Sequence, residues 1–158
     1  MKALVTGGGG FLGKVIVRML LERGTGVRTI SRSAQPELEA MGVEHVTGDI
    51  GDEAAIIKAA DGCDIVYHVA AKAGIWGPYD EYYKANVLGT KNVINACHAK
   101  GIRKLVYTSS PSIVFDGSDM EGVDESVPYP EHFEAYYPET KAEAERLVLA
   151  ANNDKLAT

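Results

Sequence analysis

Short apolar runs alternate along this chain with longer segments of helical period. Alternation of this kind is typical of β-α-β units that feed a parallel sheet. The apolar runs predict five strands, at residues 2–6, 27–31, 44–47, 64–68 and 104–109. Because each pair of strands is separated by a segment long enough for a crossover, we expect neighbouring strands to run in the same direction.

Helical period predicts five helices, at residues 11–23, 36–41, 52–60, 79–100 and 136–152. Asp52 is expected to cap the third helix, and Gly101 to end the fourth. With right-handed crossovers, the elements form an α/β fold of the Rossmann type, a doubly wound parallel sheet. Residues 111–138 lack a clear period, so they predict a long loop of the kind that covers or lines a site.

Length and composition indicate one domain over residues 1–158, with 46% hydrophobic residues and a net charge of −6. The negative charge gives no reason to expect a nucleic-acid partner. The amino terminus has no long apolar stretch, so we expect no membrane-spanning segment and a cytoplasmic location. Cys63 and Cys97 lie far apart and lack metal-ligand spacing, so we expect free thiols and no metal site.

A glycine cluster joins the first predicted strand to the first predicted helix. Gly7 can form the tight turn, Gly10 can let a pyrophosphate approach the backbone, and Gly13 can let helix and strand pack closely. Phe11 and Leu12 open the helix, where free N–H groups favour an anion. The segment therefore predicts a dinucleotide-binding turn. A turn that binds nothing is the alternative interpretation.

A P-loop, which binds a nucleoside triphosphate, is a second alternative, because Gly8, Gly13 and Lys14 have the spacing that its motif requires. That loop needs Ser or Thr after the lysine to bind magnesium, and this chain has Val15 there. The sequence also shows no convincing second acidic site for the metal. We therefore favour the dinucleotide.

The end of the second strand bears on which dinucleotide is bound. Enzymes that bind NAD commonly place an acid there, whereas an arginine can accept the 2′-phosphate of NADP. Ser31 and Arg32 follow this strand, with Arg28 nearby, so NADP(H) is favoured and NAD(H) stays open. Asp49, with Ile50 beside it, is placed to receive the adenine amino group; capping a helix is its alternative role.

Tyr137 and Lys141 lie four residues apart at the start of the last predicted helix, on the same face. At about 4 Å and an effective dielectric near 20, an ammonium stabilises a phenolate by about 4 kcal/mol, which is roughly three pKa units. A phenol in that setting can exchange a proton with an alcohol or a carbonyl near neutral pH. A solvated Tyr–Lys pair is the alternative.

A serine at the carboxyl end of the fifth predicted strand can donate a hydrogen bond to a carbonyl that gains negative charge. Ser110 is our preferred candidate, ahead of Ser109 and then Ser112. Each of the three could instead cap the strand or shape the loop.

These motifs together resemble the extended short-chain dehydrogenase/reductases, and the match covers nearly the whole chain. It includes residues 6–13, Asp49 and the segments 68–71, 86–90, 107–110 and 137–141. The resemblance implies that Tyr137 is the general acid/base, that Lys141 assists it and holds the nicotinamide ribose, and that Ser110 polarises the carbonyl.

The same resemblance implies roles for three residues beside this triad. Asn86 corresponds to the helix-bending Asn that supports a water near the lysine, and Ala70 and Ala71 are small where the dinucleotide passes. Lys72 follows them and is expected near the cofactor or a substrate carboxylate; a solvated lysine is the alternative.

Two subgroups are most similar to this chain. Residues 108–117 resemble the 3β-hydroxysteroid and sterol-4α-carboxylate 3-dehydrogenases, and residues 71–77 resemble the 2-alkyl-3-oxoalkanoate reductases. Members of this family are longer, so we expect the C-terminal substrate region to be absent from this chain.

The expected function is hydride transfer between NADP(H) and a small-molecule substrate, either a β-keto or β-hydroxy acid or a 3-hydroxysteroid-like compound. Two other functions stay open: a nucleotide-sugar epimerase or dehydratase with bound NAD, and a non-catalytic dinucleotide-binding module. A homodimer is our candidate assembly.

Overall fold

The five predicted strands form one parallel sheet. The computed structural model describes all residues, 1–158. Its strands are β1 Lys2–Thr6, β2 Gly26–Ser31, β3 Glu44–Thr47, β4 Ile65–His68 and β5 Leu105–Tyr107. Their order is β3-β2-β1-β4-β5, and every neighbouring pair is parallel. The order reverses between β1 and β4, so the prediction of a doubly wound Rossmann-type sheet is confirmed.

The helices also lie where their period predicts them, with one internal change. They are α1 Phe11–Glu22, α2 Pro36–Ala40, α3 Glu53–Ala60, α4 Tyr79–Tyr82, α5 Gly89–Lys100 and α6 Tyr136–Ala150. The predicted helix at 79–100 is interrupted by a π-helical segment, Tyr83–Leu88, between α4 and α5. Between β5 and α6 the chain forms only a short 3₁₀ turn, Pro111–Ile113, so the long loop is confirmed.

The predicted start of α3 at Asp52 and the predicted end of α5 at Gly101 are both confirmed. The Asp52 carboxylate accepts the Ala54 N–H at 3.0 Å, which satisfies a free donor at the start of α3. Gly101 ends α5 in the left-handed conformation, with φ of 66°. No helix of the structure is both long enough and apolar enough to cross a bilayer.

The sheet is covered on both faces near β1. Ala3 and Val5 face one apolar cluster with α1 and α2, and Leu4 faces another with α3, α5 and α6; all three side chains are fully buried. In sheets of this kind, ligands bind outside the carboxyl ends of the strands, at the point where the strand order reverses. This edge therefore holds the candidate site.

Candidate active site

A cleft of about 520 Å³ opens at the carboxyl edge of the sheet, beside the glycine turn. Eight of the predicted dinucleotide-binding residues line it: Gly7, Ser31, Arg32, Asp49, Ile50, Ala70, Ala71 and Lys72. The lining also contains five residues that the sequence analysis did not select: Ile30, Gly48, Glu81, Lys84 and Ala85.

Three of those missed residues share one helical face. Glu81, Lys84 and Ala85 are spaced i, i+3 and i+4, so the helical period that predicts a helix at 79–100 could have grouped them on one face. Lys72 and Glu81 form an ion pair at 2.8 Å, and Lys84 pairs with Asp49 at 3.0 Å. Charged side chains and apolar ones, among them Ile30 and Ile50, therefore both line the cleft.

The glycine turn is held by close backbone contacts. Gly7 has φ of +70°, and a Cβ added to it would lie 2.7 Å from the Ala70 nitrogen. A Cβ on Gly13 would lie 2.1 Å from the Gly7 carbonyl oxygen, so the first turn of α1 rests directly on the glycine turn. At Gly10 the only close atom is that same oxygen, at 3.3 Å. Side chains at Gly7 and Gly13 would therefore break the turn.

The start of α1 offers unpaired donors beside this turn. Gly10 is the N-cap and provides no side-chain cap, and no group of the chain accepts the N–H groups of Phe11, Leu12 or Gly13. The side chain of Phe11 is exposed and that of Leu12 is partly exposed. Free N–H groups at the positive end of a helix dipole suit an anion such as a pyrophosphate.

Arg32 and Arg28 have different surroundings. Arg32 lines the cleft and forms no ion pair. Arg28 is bound elsewhere: it pairs with Glu44 at 2.9 Å and donates to the carbonyls of Ala59 and Asp61. Arg28, which the sequence places near Arg32, is therefore held by these partners away from the cleft, and of the two only Arg32 lines it.

Asp49 lines the cleft as an ionised carboxylate. It accepts the Gly51 N–H at 2.9 Å and the Lys84 ammonium at 3.0 Å, and these hydrogen bonds hold the pKa of Asp49 below its usual range. The helix-capping alternative is wrong for this residue, because Asp52 caps α3.

Tyr137 and Lys141 both lie at the start of α6, as predicted. Lys141 is only 2% exposed; its Nζ donates to the Thr108 carbonyl at 2.6 Å and lies 4.0 Å from the centre of the Tyr107 ring. Burial lowers the pKa of Lys141 to about 8. The Tyr137 side chain is half-buried, and its hydroxyl forms no hydrogen bond within the chain.

The serines lie at the end of β5, near the carbonyl that binds Lys141. Ser110 Oγ is 2.8 Å from Ser112 Oγ and accepts the Ser112 N–H at 3.3 Å. Ser109 Oγ is buried without a partner. The 3₁₀ turn that follows Ser110 packs against α6, the helix that carries Tyr137 and Lys141.

Asn86 lies within the π-helical segment and connects three parts of the site. Its side chain accepts the Lys72 N–H at 2.7 Å, and its amide donates to the Lys72 carbonyl at 3.1 Å and to Thr140 Oγ1 at 3.0 Å. Thr140 in turn donates to the Tyr136 carbonyl at 2.7 Å. Asn86 thus ties the loop after β4 to the first turn of α6; its predicted role in supporting a water near Lys141 stays a prediction.

A buried chain of hydrogen bonds reaches Asn86 from β1. Thr90 Oγ1 donates to the Asn86 carbonyl at 2.5 Å, so it must accept from His68 Nε2 at 2.9 Å. His68 Nδ1 then accepts from Thr6 Oγ1 at 2.7 Å. Burial, with a smaller effect from the Lys141 charge, lowers the pKa of His68 to about 3, so the ring is neutral. The sequence analysis noted His68 only as part of a motif.

Known proteins resemble this chain in sequence or structure over nearly its whole length. The chain is 54% identical over 160 residues to a 2-alkyl-3-oxoalkanoate reductase of Stenotrophomonas maltophilia, covering all of this chain and 48% of that protein. It is 41% identical over 163 residues to a 3 beta-hydroxysteroid dehydrogenase/Delta 5-->4-isomerase of Mycobacterium tuberculosis. That match covers 96% of this chain and 43% of the other protein. The solved structure of Thermus thermophilus UDP-glucose 4-epimerase in complex with NAD superposes on this chain with a TM-score of 0.81 at 28% sequence identity. The superposition covers 95% of this chain and 50% of the epimerase chain.

The chain thus spans about half the length of the curated relatives it matches. Residues 4–158 match the model of one protein family. This chain belongs to the 3-beta hydroxysteroid dehydrogenase/isomerase family, within the extended short-chain dehydrogenase/reductases.

Proposed function

We propose that this protein is an NADP(H)-dependent oxidoreductase. It transfers hydride between the nicotinamide and the oxygen-bearing carbon of a β-keto or β-hydroxy acid, or of a 3-hydroxysteroid-like substrate. The observation that carries the proposal is the position of Lys141. This buried lysine lies one turn of α6 from Tyr137, and it donates to the carbonyl of Thr108, which follows β5 and precedes Ser110 by two residues.

The residues at the carboxyl edge fit a dinucleotide. The glycine turn leaves no room for side chains at Gly7 and Gly13, and three free N–H groups at the start of α1 suit its pyrophosphate. Ala70 and Ala71 line the cleft with small side chains where the dinucleotide would pass. Lys141 would hold the nicotinamide ribose.

Three side chains divide the chemistry at the substrate carbonyl. When bound, the nicotinamide supplies the hydride for reduction and accepts it in the reverse direction. Tyr137 donates its phenolic proton to the carbonyl oxygen as that oxygen gains negative charge. Ser110 donates a hydrogen bond to the same oxygen, and the Lys141 ammonium stabilises the phenolate that remains.

The preference for NADP(H) rests on Arg32. It is a cation at the cleft that forms no ion pair, whereas Lys72 and Lys84 are paired with acids. A guanidinium without a partner can bind a 2′-phosphate with two parallel hydrogen bonds.

A nucleotide-sugar epimerase is the second candidate function, since a solved epimerase with NAD has the same fold over 95% of this chain. Ser31 and Arg32 count against it, because such enzymes more often carry an acid after β2 to grip the ribose of tightly held NAD. A non-catalytic dinucleotide-binding module is the third. The presence of Ser110, Tyr137 and Lys141 together argues for chemistry instead.

One experiment on the purified full-length protein separates these functions. Cofactor released by denaturation is identified first, and 3-oxo acids, ketosteroids and nucleotide sugars are then assayed with NADPH, with NADH and with no added nicotinamide. We expect reduction of a 3-oxo compound that requires added NADPH. Co-purified NAD with sugar turnover in the absence of added nicotinamide would identify an epimerase, and dinucleotide binding without any turnover would favour the binding module.

A further inference from the structure

The loop after β4 presents two large apolar side chains to solvent beside the candidate active site. Ile75 is 73% exposed and Trp76 is 89% exposed. Gly74 and Gly77 flank them with φ of +123° and +140°, a conformation that residues with side chains rarely adopt. The two glycines therefore allow the turn that directs Ile75 and Trp76 outward.

Buried contacts hold this loop in place. The Tyr82 side chain is fully buried and its hydroxyl donates to the Trp76 carbonyl at 2.9 Å. The Tyr82 ring lies 6.3 Å from the ring of Tyr136, which precedes Tyr137 at the start of α6. At the other end, Asn86 binds both backbone groups of Lys72. The backbone of the loop is thus fixed relative to the catalytic helix.

The dinucleotide would fill the cleft, so an apolar part of the substrate has to bind outside it. The cleft also carries the charged groups of Arg32, Asp49 and Lys84, and burying an alkyl chain against them would remove their water. Ile75 and Trp76 are exposed apolar groups on a loop that Tyr82 connects to the start of α6, through its hydrogen bond to Trp76 and its contact with Tyr136. Ligand sites are lined mainly by apolar and aromatic side chains and are largely formed before the ligand binds, as this anchored pair is.

We propose that Ile75 and Trp76 form the contact surface for the apolar chain of the substrate and set its preferred length. This proposal rests on the proposed function, because it requires a substrate whose polar end reaches Tyr137 and Ser110. The occupant is an alkyl branch, which gains from burial against the indole and the isoleucine in proportion to the area covered.

The first test compares two substrates in the oxidation direction, with NADP⁺ and the full-length protein. The short substrate is 3-hydroxybutanoate, and the long substrate is 2-hexyl-3-hydroxydecanoate. Ile75→Ser and Trp76→Ser should each lower kcat/KM for the long substrate about tenfold, mainly through KM, and change the short one less than about twofold. Trp76→Phe should keep most of the preference for the long substrate.

The control is Leu149→Ser on α6. Leu149 is also exposed, at 62%, but lies twelve residues beyond Tyr137, or about 18 Å along the helix. Two results would overturn the proposal and leave the proposed function intact. One is an equal loss of kcat/KM for both substrates in the loop variants; the other is a loss for the long substrate in Leu149→Ser as large as in the loop variants.

A second readout does not need turnover. Trp76 is the only tryptophan in these 158 residues, and the spectrum of Trp76→Phe gives the baseline for its emission. With NADP⁺ present, the long acid should shift Trp76 emission to shorter wavelength and the short acid should not. That shift without turnover of either acid would support the loop surface and refute the proposed function. No shift would overturn the loop surface.

Discussion

His68 gives a prediction about acid stability that can be worked out from the structure. The ring is 1% exposed, and burial lowers the pKa of His68 to about 3. In the unfolded chain a histidine titrates near about 6.5. Between these values the unfolded state binds a proton that the folded state does not, so folding stability falls as pH falls. The slope is about 1.4 kcal/mol per pH unit, and the loss from pH 7 to pH 5 is about 2 kcal/mol.

Replacement of His68 isolates this contribution from that of the carboxylates. His68→Gln keeps a donor towards Thr90 but cannot titrate, so its unfolding free energy should depend less on pH. At pH 7 the variant should be less stable by about 1–3 kcal/mol, because the Thr6 hydroxyl loses its acceptor.

Urea unfolding followed by circular dichroism, repeated from pH 7 to pH 5, measures both effects. His132→Gln changes an exposed histidine in the long loop and serves as the matched control. Wild-type and His68→Gln curves that run parallel over this range would refute a buried, neutral His68.

Three further predictions concern the cofactor site. Arg32→Asp should weaken NADP(H) binding about ten- to a hundredfold and NAD(H) binding far less; equal changes in the two titrated dissociation constants would remove the assignment of NADP(H). Gly13→Ala should lower the unfolding free energy by at least about 1–3 kcal/mol, because its Cβ would overlap the Gly7 carbonyl, whereas Gly26→Ala meets only ordinary contacts and should cost much less. Urea midpoints compare the two, and similar losses would contradict the packing argument. Lys141→Met should lower turnover, weaken cofactor binding and move the pH optimum upward; a variant with the wild-type pH profile would show that the ammonium does not act on the phenol.

The sequence predicted the fold well because the signals for it are local. Apolar runs, helical period, the N-cap at Asp52 and the left-handed Gly101 each depend on residues within a few positions, and all four were confirmed. The glycine turn belongs to the same class, since its positive φ at Gly7 and its tight packing at Gly13 follow from a short motif.

Features that depend on distant residues could not be predicted in this way. Arg28 is only four residues from Arg32 at the predicted phosphate site, yet carbonyls more than thirty residues away bind its guanidinium. The π-helical segment around Asn86 has contacts with Lys72 and Thr140, which are fourteen and fifty-four residues away. Periodicity alone cannot reveal such partners, because tertiary packing selects them.

The central claim is that Tyr137 is the proton donor for a hydride transfer. Its direct test is the NADPH-dependent reduction of a 3-oxo substrate by full-length Tyr137→Phe, with NADPH affinity measured alongside. We predict a loss of turnover of about a hundred- to ten-thousandfold, with folding and NADPH affinity nearly unchanged. Tyr136→Phe removes a hydroxyl about 100° around the helix and should lose much less. Loss of turnover in Tyr136→Phe while Tyr137→Phe stays active would contradict the account.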